Sequence, residues 1–410
     1  MTPSIRAALA LLLCSVLAAC ASVAPSAPPS PDAPPVLLVS IDGFRSDYLD
    51  RGLTPNLSRL ADEGVRGEGM TPSYPSLTFP NHYTLVTGLR PDHHGVVHNT
   101  MHDAQLGGFK GSDEANASDA RWWNGAEPLW VTAERAGLHA ATMFWPGSQA
   151  PIRGVRPTHW KAYDAAMSND ARVDEVVAWL AQPTPRIRFA TLYFELLDKT
   201  GHSNGPDSPE MQRDIAAIDA AIGRLVQELD AHGLHDTNLV IVSDHGMAEV
   251  PPGQVIAIED MVDVEDVDVV STGQVVGFIP KRGHARAAEA RLLGRHDRYE
   301  CWKKEALPER WHFGTHPRIP PIVCQVDEGW DAIRRSEFAK RPAHARGSHG
   351  YDPALPSMRA LFIARGPAFR AGARLPVFDN VDVYPLLAKL IGVPALPNDG
   401  TLAPLQPALR

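Results

Sequence analysis

Three short apolar runs, each leading to a carboxylate, constrain this chain more than any other feature of its sequence. Val36-Leu37-Leu38-Val39-Ser40-Ile41 ends in Asp42-Gly43, Phe189 to Glu195 leads to Asp198, and Leu239-Val240-Ile241-Val242-Ser243 precedes Asp244-His245-Gly246. Such continuous runs suit strands buried on both faces. Helical spacing fills the gaps, at Leu57, Leu60 and Ala61 after Thr54-Pro55, at Ile215, Ile218, Ile222, Leu225, Val226 and Leu229, and at Val383, Leu386, Leu387 and Leu390. Strands alternating with amphipathic helices predict an α/β domain with a mostly parallel central sheet flanked by helices. In such sheets ligands bind beyond the carboxyl ends of the strands, where all three carboxylate segments fall.

The first 19 residues read as a signal peptide, with Arg6 ahead of an apolar stretch, Ala7 to Ala19, too short to span a bilayer. Leu17-Ala18-Ala19-Cys20 resembles a bacterial lipobox, which would make Cys20 the lipidated N-terminus of a protein tethered in the bacterial envelope. Ordinary export to the periplasm, with cleavage in the same small residues, is the alternative. Ala, Ser and Pro dominate residues 20–35, which read as a tether. The main domain is expected over 36–397, with an inserted α+β subdomain at about 254–345 and a tail at 398–410. An oxidising compartment would let Cys301 and Cys324 pair, two free buried thiols being the alternative. A net charge of -9 without a basic run argues against a stable nucleic-acid partner. An anionic substrate must then be captured locally.

Asp42, Asp198, His202, Asp244, His245 and His349 each lie in a glycine-containing segment or just past a strand. Carboxylate oxygens and imidazole nitrogens are ligands that borderline divalent metals accept. An isolated Asp-Gly is usually a turn, and a lone His is usually a hydrogen-bonded surface or core residue. Three carboxylates converging on one sheet edge are harder to explain blandly, because their unpaired charge is costly unless cations offset it. Asp198 and His202, four apart in a glycine-containing loop, would reach one ion, and Asp244 with His245 another. Thr78, ahead of Phe79-Pro80-Asn81-His82, suits a helix N-terminus, where amides and dipole favour phosphate. Taken locally, a capping threonine is the better reading.

The segments Ser40-Ile41-Asp42-Gly43-Phe44-Arg45, Pro75-Ser76-Leu77-Thr78-Phe79-Pro80-Asn81-His82, Gly95-Val96-Val97-His98-Asn99, Ser243-Asp244-His245-Gly246-Met247 and Gly347-Ser348-His349-Gly350 together resemble the nucleotide pyrophosphatase/phosphodiesterase family of the alkaline phosphatase superfamily. The resemblance spans nearly all of Val36 to Val393. It implies two Zn2+, one held by Asp198, His202 and His349, the other by Asp42, Asp244 and His245 with Thr78 as nucleophile. Asn99 would donate to a nonbridging phosphate oxygen. Thr78 would take the phosphoryl group as the first alcohol or phosphate leaves, and water would then release it. Three carboxylates and the Thr78 oxygen would offset two dications, leaving a near-neutral site suited to a phosphodiester monoanion.

Phe79 and Tyr163 match positions that sandwich the nucleobase in family members acting on nucleotides, dinucleotides or nucleotide sugars. Two ordinary core aromatics are the alternative. A phosphomonoesterase would need an added cation, for which Lys161, Arg153, Arg156 and Arg45 are candidates; a choline-phosphodiester or lysophospholipid specificity would use the same metals. A lipid-tethered binding protein without chemistry would be expected to lack a ligand or the nucleophile. His93, His94, His98 and His102 lack a matching carboxylate set and are expected to be structural or solvated. Glu195 is a candidate to orient a metal ligand, and Lys199 reads as a solvated neighbour.

Overall fold

The first apolar run forms strand β1 (Val36–Ile41), every residue of which is buried. The computed structural model describes residues 33–410, so the expected signal segment, Cys20 and most of the tether lie outside the described residues. β1 belongs to an eight-stranded sheet with β2 (Val65–Gly67), β3 (His139–Met143), β4 (His159–Lys161), β5 (Ile187–Phe194), β6 (Asn238–Val242), β7 (Phe362–Arg365) and β8 (Ala373–Leu375), in the spatial order β8-β2-β7-β6-β1-β5-β3-β4. Only β7 runs against the others. The other two apolar runs are β5 and β6, and they flank β1 on either side, with Val39 opposite Leu192 and Ile241. The three carboxylate segments therefore leave adjacent parallel strands at the same edge.

Alternation along β1 sends Val36 and Leu38 into one core and Leu37, Val39 and Ile41 into the other, as period-two side-chain placement requires. Helices α1 (Pro55–Glu63), α2 (Thr78–Thr87), α3 (Asn169–Leu180), α4 (Leu196–Asn204), α5 (Pro209–Ala231) and α6 (Val383–Ile391) cover the faces. α2 and α6 pack in the core of Val36, and α1, α3 and α5 in the core of Leu37. Truncating fully buried Leu37 or Leu38 to alanine would cost about 2–5 kcal/mol. Among the described residues no helix is long and apolar enough to cross a membrane.

Between 254 and 345 the chain builds a separate five-stranded antiparallel sheet from Val267–Ser271, Val275–Pro280, Ile322–Val326, Tyr299–Lys303 and Gly294–Arg295, in that spatial order. With helix Ala285–Leu292 it has its own core, including Val276, Phe278, Leu292 and Cys324. Cys301 and Cys324 stand directly opposite on neighbouring strands and are disulfide bonded, which stabilises the fold by about 3 kcal/mol in the chain-entropy account. Asp92 of the main body accepts from the Gly314, Thr315 and His316 amides (2.8–3.1 Å) and from Thr315 Oγ1 (2.6 Å), tying the insertion down. The chain returns through Arg346–Ser348, paired antiparallel with Ala248–Val250 just past β6. That pairing delivers His349 to the carboxylate edge.

Both flanks of the main domain are packed rather than loose. Pro34 and Pro35, read as tether, accept from Arg188 Nη1 (2.8 Å) and from the Asn238 amide (2.9 Å). In the expected tail, Leu405, Ala408 and Leu409 are buried, and Arg410 Nε donates to the Phe369 carbonyl (2.7 Å).

Candidate active site

Asp42 directly follows β1 and Asp244 follows β6 by two residues, so the parallel pairing of the two strands brings them together. His245 Nε2 faces Asp244 Oδ2 at 2.9 Å, Thr78 Oγ1 at 3.2 Å and Asp42 Oδ1 at 3.5 Å. The outer oxygens of both carboxylates are spoken for: Tyr193 Oη donates to Asp42 Oδ2 (2.6 Å), and the Gly43 amide to Asp244 Oδ1 (3.3 Å). Gly43 is required here, because it sits at φ 70° and a Cβ would stand 3.1 Å from the Asp198 Cα.

Asp198 and His202 lie on α4, not in the loop expected from Gly201, and the i, i+4 spacing sets both on one helical face. Gly201 serves close packing instead, since a Cβ there would meet Met247 Cε at 2.7 Å. Asp198 Oδ1 lies 3.4 Å from His202 Nε2 and 3.3 Å from His349 Nε2, and the two imidazole nitrogens are 3.1 Å apart. The His245 and His349 rings stack at 3.5 Å, which places the two groups side by side.

The protonation pattern shows what these atoms await. Nδ1 of His202, His245 and His349 each faces a backbone carbonyl, of Gly347 (3.1 Å), Gly246 (2.9 Å) and Ser76 (2.9 Å). Nδ1 must therefore carry the proton and donate, leaving every Nε2 with a lone pair aimed inward. Asp42 Oδ1, Asp198 Oδ1 and Asp244 Oδ2 are buried and have no hydrogen-bond partner. Lone pairs converging at about 3 Å repel one another unless a cation lies between them. Burial, reinforced by the charges of Asp244 and Asp198, pushes the Asp42 carboxyl well above the usual range. Each group, Asp42/Asp244/His245 and Asp198/His202/His349, brings its donor atoms within 4.8 Å of one another and fits a divalent cation.

Thr78 opens α2, whose N-cap Leu77 offers no side-chain cap. Its hydroxyl is aimed at His245 instead, so the local reading of Thr78 as a helix cap gives way. The Phe79 amide donates to Asn99 Oδ1 (2.9 Å), which fixes the amide orientation and leaves Asn99 Nδ2 as the donor beside Thr78. Phe79 is half-buried against Phe109 (6.0 Å) and Trp123 (6.1 Å). Tyr163 is 45% exposed, a contrast with a core aromatic, and packs on Phe144 (5.5 Å) and Tyr193 (6.5 Å), the latter bonded to Asp42.

Other conspicuous residues stay outside this constellation. Buried His94 bonds Thr84 Oγ1 and the Val96 amide, His98 accepts from the Thr100 amide, and His93 pairs with Asp399. Glu195 does not orient a ligand: the buried Arg172 and Lys199 Nζ (3.0 Å) hold it, and, against the pull of burial, lower its pKa to about 2. Lys199 is thus an ion-pair partner as well as a solvated neighbour. The four candidate cations for a phosphomonoesterase are all engaged elsewhere, Arg45 with Asp47, Arg153 with Glu127, Lys161 with Glu175, and Arg156 with the Gln149 carbonyl. One participant escaped the sequence reading. His82 Nδ1 donates to the Thr78 carbonyl (2.9 Å) and lies 3.3 Å from Asp244 Oδ2, while Nε2 accepts from Ser40 Oγ (2.8 Å). Its position one turn after Thr78 on the same helix was the available signal.

Comparison with known proteins agrees with this geometry. The family profile described as type I phosphodiesterase / nucleotide pyrophosphatase matches residues 36–352. Human ectonucleotide pyrophosphatase/phosphodiesterase family member 5 is 37% identical over 92% of this chain and 78% of its own length. Mouse bis(5'-adenosyl)-triphosphatase enpp4 is 37% identical over 90% of this chain and 80% of its own. A solved structure of murine ectonucleotide pyrophosphatase/phosphodiesterase 5, an inactive threonine-to-alanine variant in complex with AMP, superposes with a TM-score of 0.87 at 36% identity, covering 92% of this chain and 100% of that one.

Proposed function

Because this chain belongs to the type I phosphodiesterase / nucleotide pyrophosphatase family, we propose that it hydrolyses nucleotide phosphodiester and pyrophosphate bonds, releasing a nucleoside 5'-monophosphate by double displacement at Thr78 with two Zn2+. The observation that carries the reading is the set of buried, partnerless oxygens Asp42 Oδ1, Asp198 Oδ1 and Asp244 Oδ2, facing three imidazole lone pairs beside the Thr78 hydroxyl. Asp42, Asp244, His245 and Thr78 would hold one ion, and Asp198, His202 and His349 the other. When bound, the ions supply positive charge to the attacking and leaving oxygens and make a hydroxyl or water nucleophilic at neutral pH.

The chain's own groups do the rest. Thr78 sits at the first turn of a ten-residue helix, where free amides and the dipole favour a phosphate. A Thr78 Oγ1–phosphorus bond forms as the bond to the leaving oxygen breaks. Water then cleaves the Thr78 ester and restores the hydroxyl, which divides one difficult displacement into two. Asn99 Nδ2 donates to a nonbridging oxygen, and Phe79 and Tyr163 hold the base by stacking, a contribution of roughly 1–3 kcal/mol per base. The engaged state of Arg45, Arg153, Arg156 and Lys161 favours a diester over a monoester dianion. The inactive threonine-to-alanine variant of the murine relative, in complex with AMP, supports both a threonine nucleophile and a nucleotide substrate.

The test is zinc content together with cleavage of a nitrophenyl nucleoside diester against nitrophenyl phosphate. Two zinc ions and a diester preference are expected. A monoester preference would overturn the phosphodiesterase reading, and a preference for choline diesters the nucleotide one. Export with lipidation of Cys20, in a bacterial envelope, remains part of the proposal on the lipobox-like sequence; Cys20→Ser should then release the protein from the membrane fraction.

A further inference from the structure

A cavity of roughly 300 Å³ opens beside His202, its charged lining made by the carboxylates Asp331 and Glu337 and the cations Lys340, Arg341 and Arg346. Its charges do not cancel. Asp331 is fully buried and serves two guanidinium groups, Arg346 in close contact and Arg341 at 3.1 Å, as well as the Gln274 amide. One carboxylate between two permanent cations leaves a positive charge over. Lys340 Nζ is only loosely paired, 3.9 Å from Glu337, and its side chain is mostly exposed. Arg341 lines the cavity and keeps a third of its side chain exposed, and its guanidinium carries more donors than the one contact to Asp331 uses.

The cavity's place relative to Thr78 gives that charge a purpose. Thr78 lies with His245, on the buried group, and Phe79 and Tyr163 adjoin that same side. In-line displacement expels the leaving oxygen on the side of phosphorus opposite the attacker. The second group stands beside the first, with the His349 ring stacked on His245 at 3.5 Å, and its His202 also forms the cavity wall.

We infer that this cavity is the leaving-group subsite and that it selects a polyphosphate leaving group, a nucleoside diphosphate or triphosphate, through Arg341 and Lys340. The inference rests on the phosphodiesterase reading above. As the Thr78 Oγ1–phosphorus bond forms, the bridging oxygen departs with its electron pair on the terminal phosphate of the product. That anion needs cations around it but no proton, and the cavity accordingly offers donors rather than an acid.

The experiment measures binding and selectivity together. In Thr78→Ala protein, Arg341→Gln with Lys340→Gln should weaken binding of uncleaved bis(5'-adenosyl) triphosphate about tenfold and AMP less than twofold. In protein retaining Thr78, the same pair should lower the kcat/KM ratio of that dinucleotide to a nitrophenyl nucleoside diester about tenfold, with partial recovery in Arg341→Lys. An unchanged ratio, or equal losses on both substrates and on AMP, would overturn the subsite. Failure of the parent protein to bind or cleave any of these nucleotides would overturn the phosphodiesterase reading itself.

Discussion

The two candidate metal-binding groups are chemically near twins but physically different. Asp244 and His245 are wholly buried and Asp42 nearly so, whereas in the other group only His349 is buried, His202 leaving 39% of its side chain exposed and Asp198 18%. Asp42, Asp244 and His245 leave the ends of central strands, with outer atoms tied to Tyr193, the Gly43 amide and the Gly246 carbonyl. Asp198, His202 and His349 come from a helix and from the strand that returns from the insertion. Ligands fixed by core strands position a nucleophile within tight tolerance. Ligands at the rim leave room for water and for a departing product, as catalytic metal sites require. The contrast fits the proposed division of labour, attack at the buried group and departure at the open one.

The largest effect should come from the proposed nucleophile at the buried group. Thr78→Ala is expected to lower kcat/KM by roughly 10⁴-fold or more, the scale of removing an enzymic nucleophile, with metal content retained by atomic spectroscopy. Asp244→Asn and His202→Asn then test the asymmetry directly. Both should lose more than the 10–100-fold typical of residues that merely support a ligand. Only His202→Asn, at the open group, should recover substantial activity when excess zinc is titrated back. Equal rescue of both would show that the burial difference has no consequence. Between these lies His82, which braces the Thr78 carbonyl and Asp244 from behind. His82→Asn should weaken metal at the buried group by about 10–100-fold, read by competition with a chelator, and leave the open group unchanged.

Acid should weaken the platform of the buried group first. Burial pushes the His94 pKa down to about 3, and His94 packs against Thr84 and Pro80 of α2, the helix that carries Thr78. A histidine depressed in the folded state binds more protons when unfolded. Its stabilisation is therefore complete above about pH 6.5 and is lost as pH falls toward 3, reaching about 2 kcal/mol by pH 5. Chemical denaturation at pH 7 and pH 5 should show that slope, to which buried His98, lowered to about 4, adds, and His94→Gln should reduce it by the His94 share.

The sheet was legible because its three central strands are uninterrupted apolar runs, and the carboxylates after them mark the strand ends whatever the details between. Helix α4 was not, since Gly201 reads as a loop residue; only the packing of Met247 against it reveals why a helix needs a glycine there. The pairing of His349 with Asp198 has no local signature, as it depends on Arg346–Ser348 pairing with Ala248–Val250 across the whole insertion. It came from the family resemblance alone. Glu195 was misjudged because its partner Arg172, on α3, is brought close only by helix packing. The cationic cavity was invisible for the same reason: Arg341, Arg346 and Asp331 become a charge cluster only when the insertion folds back.

In the proposed reaction Thr78, and not water, attacks phosphorus first. The stereochemical course at phosphorus tests it most directly, using a chiral phosphorothioate nucleoside diester hydrolysed in isotopically labelled water. Two successive in-line displacements predict net retention of configuration. Net inversion would mean a single displacement by water and would contradict the account.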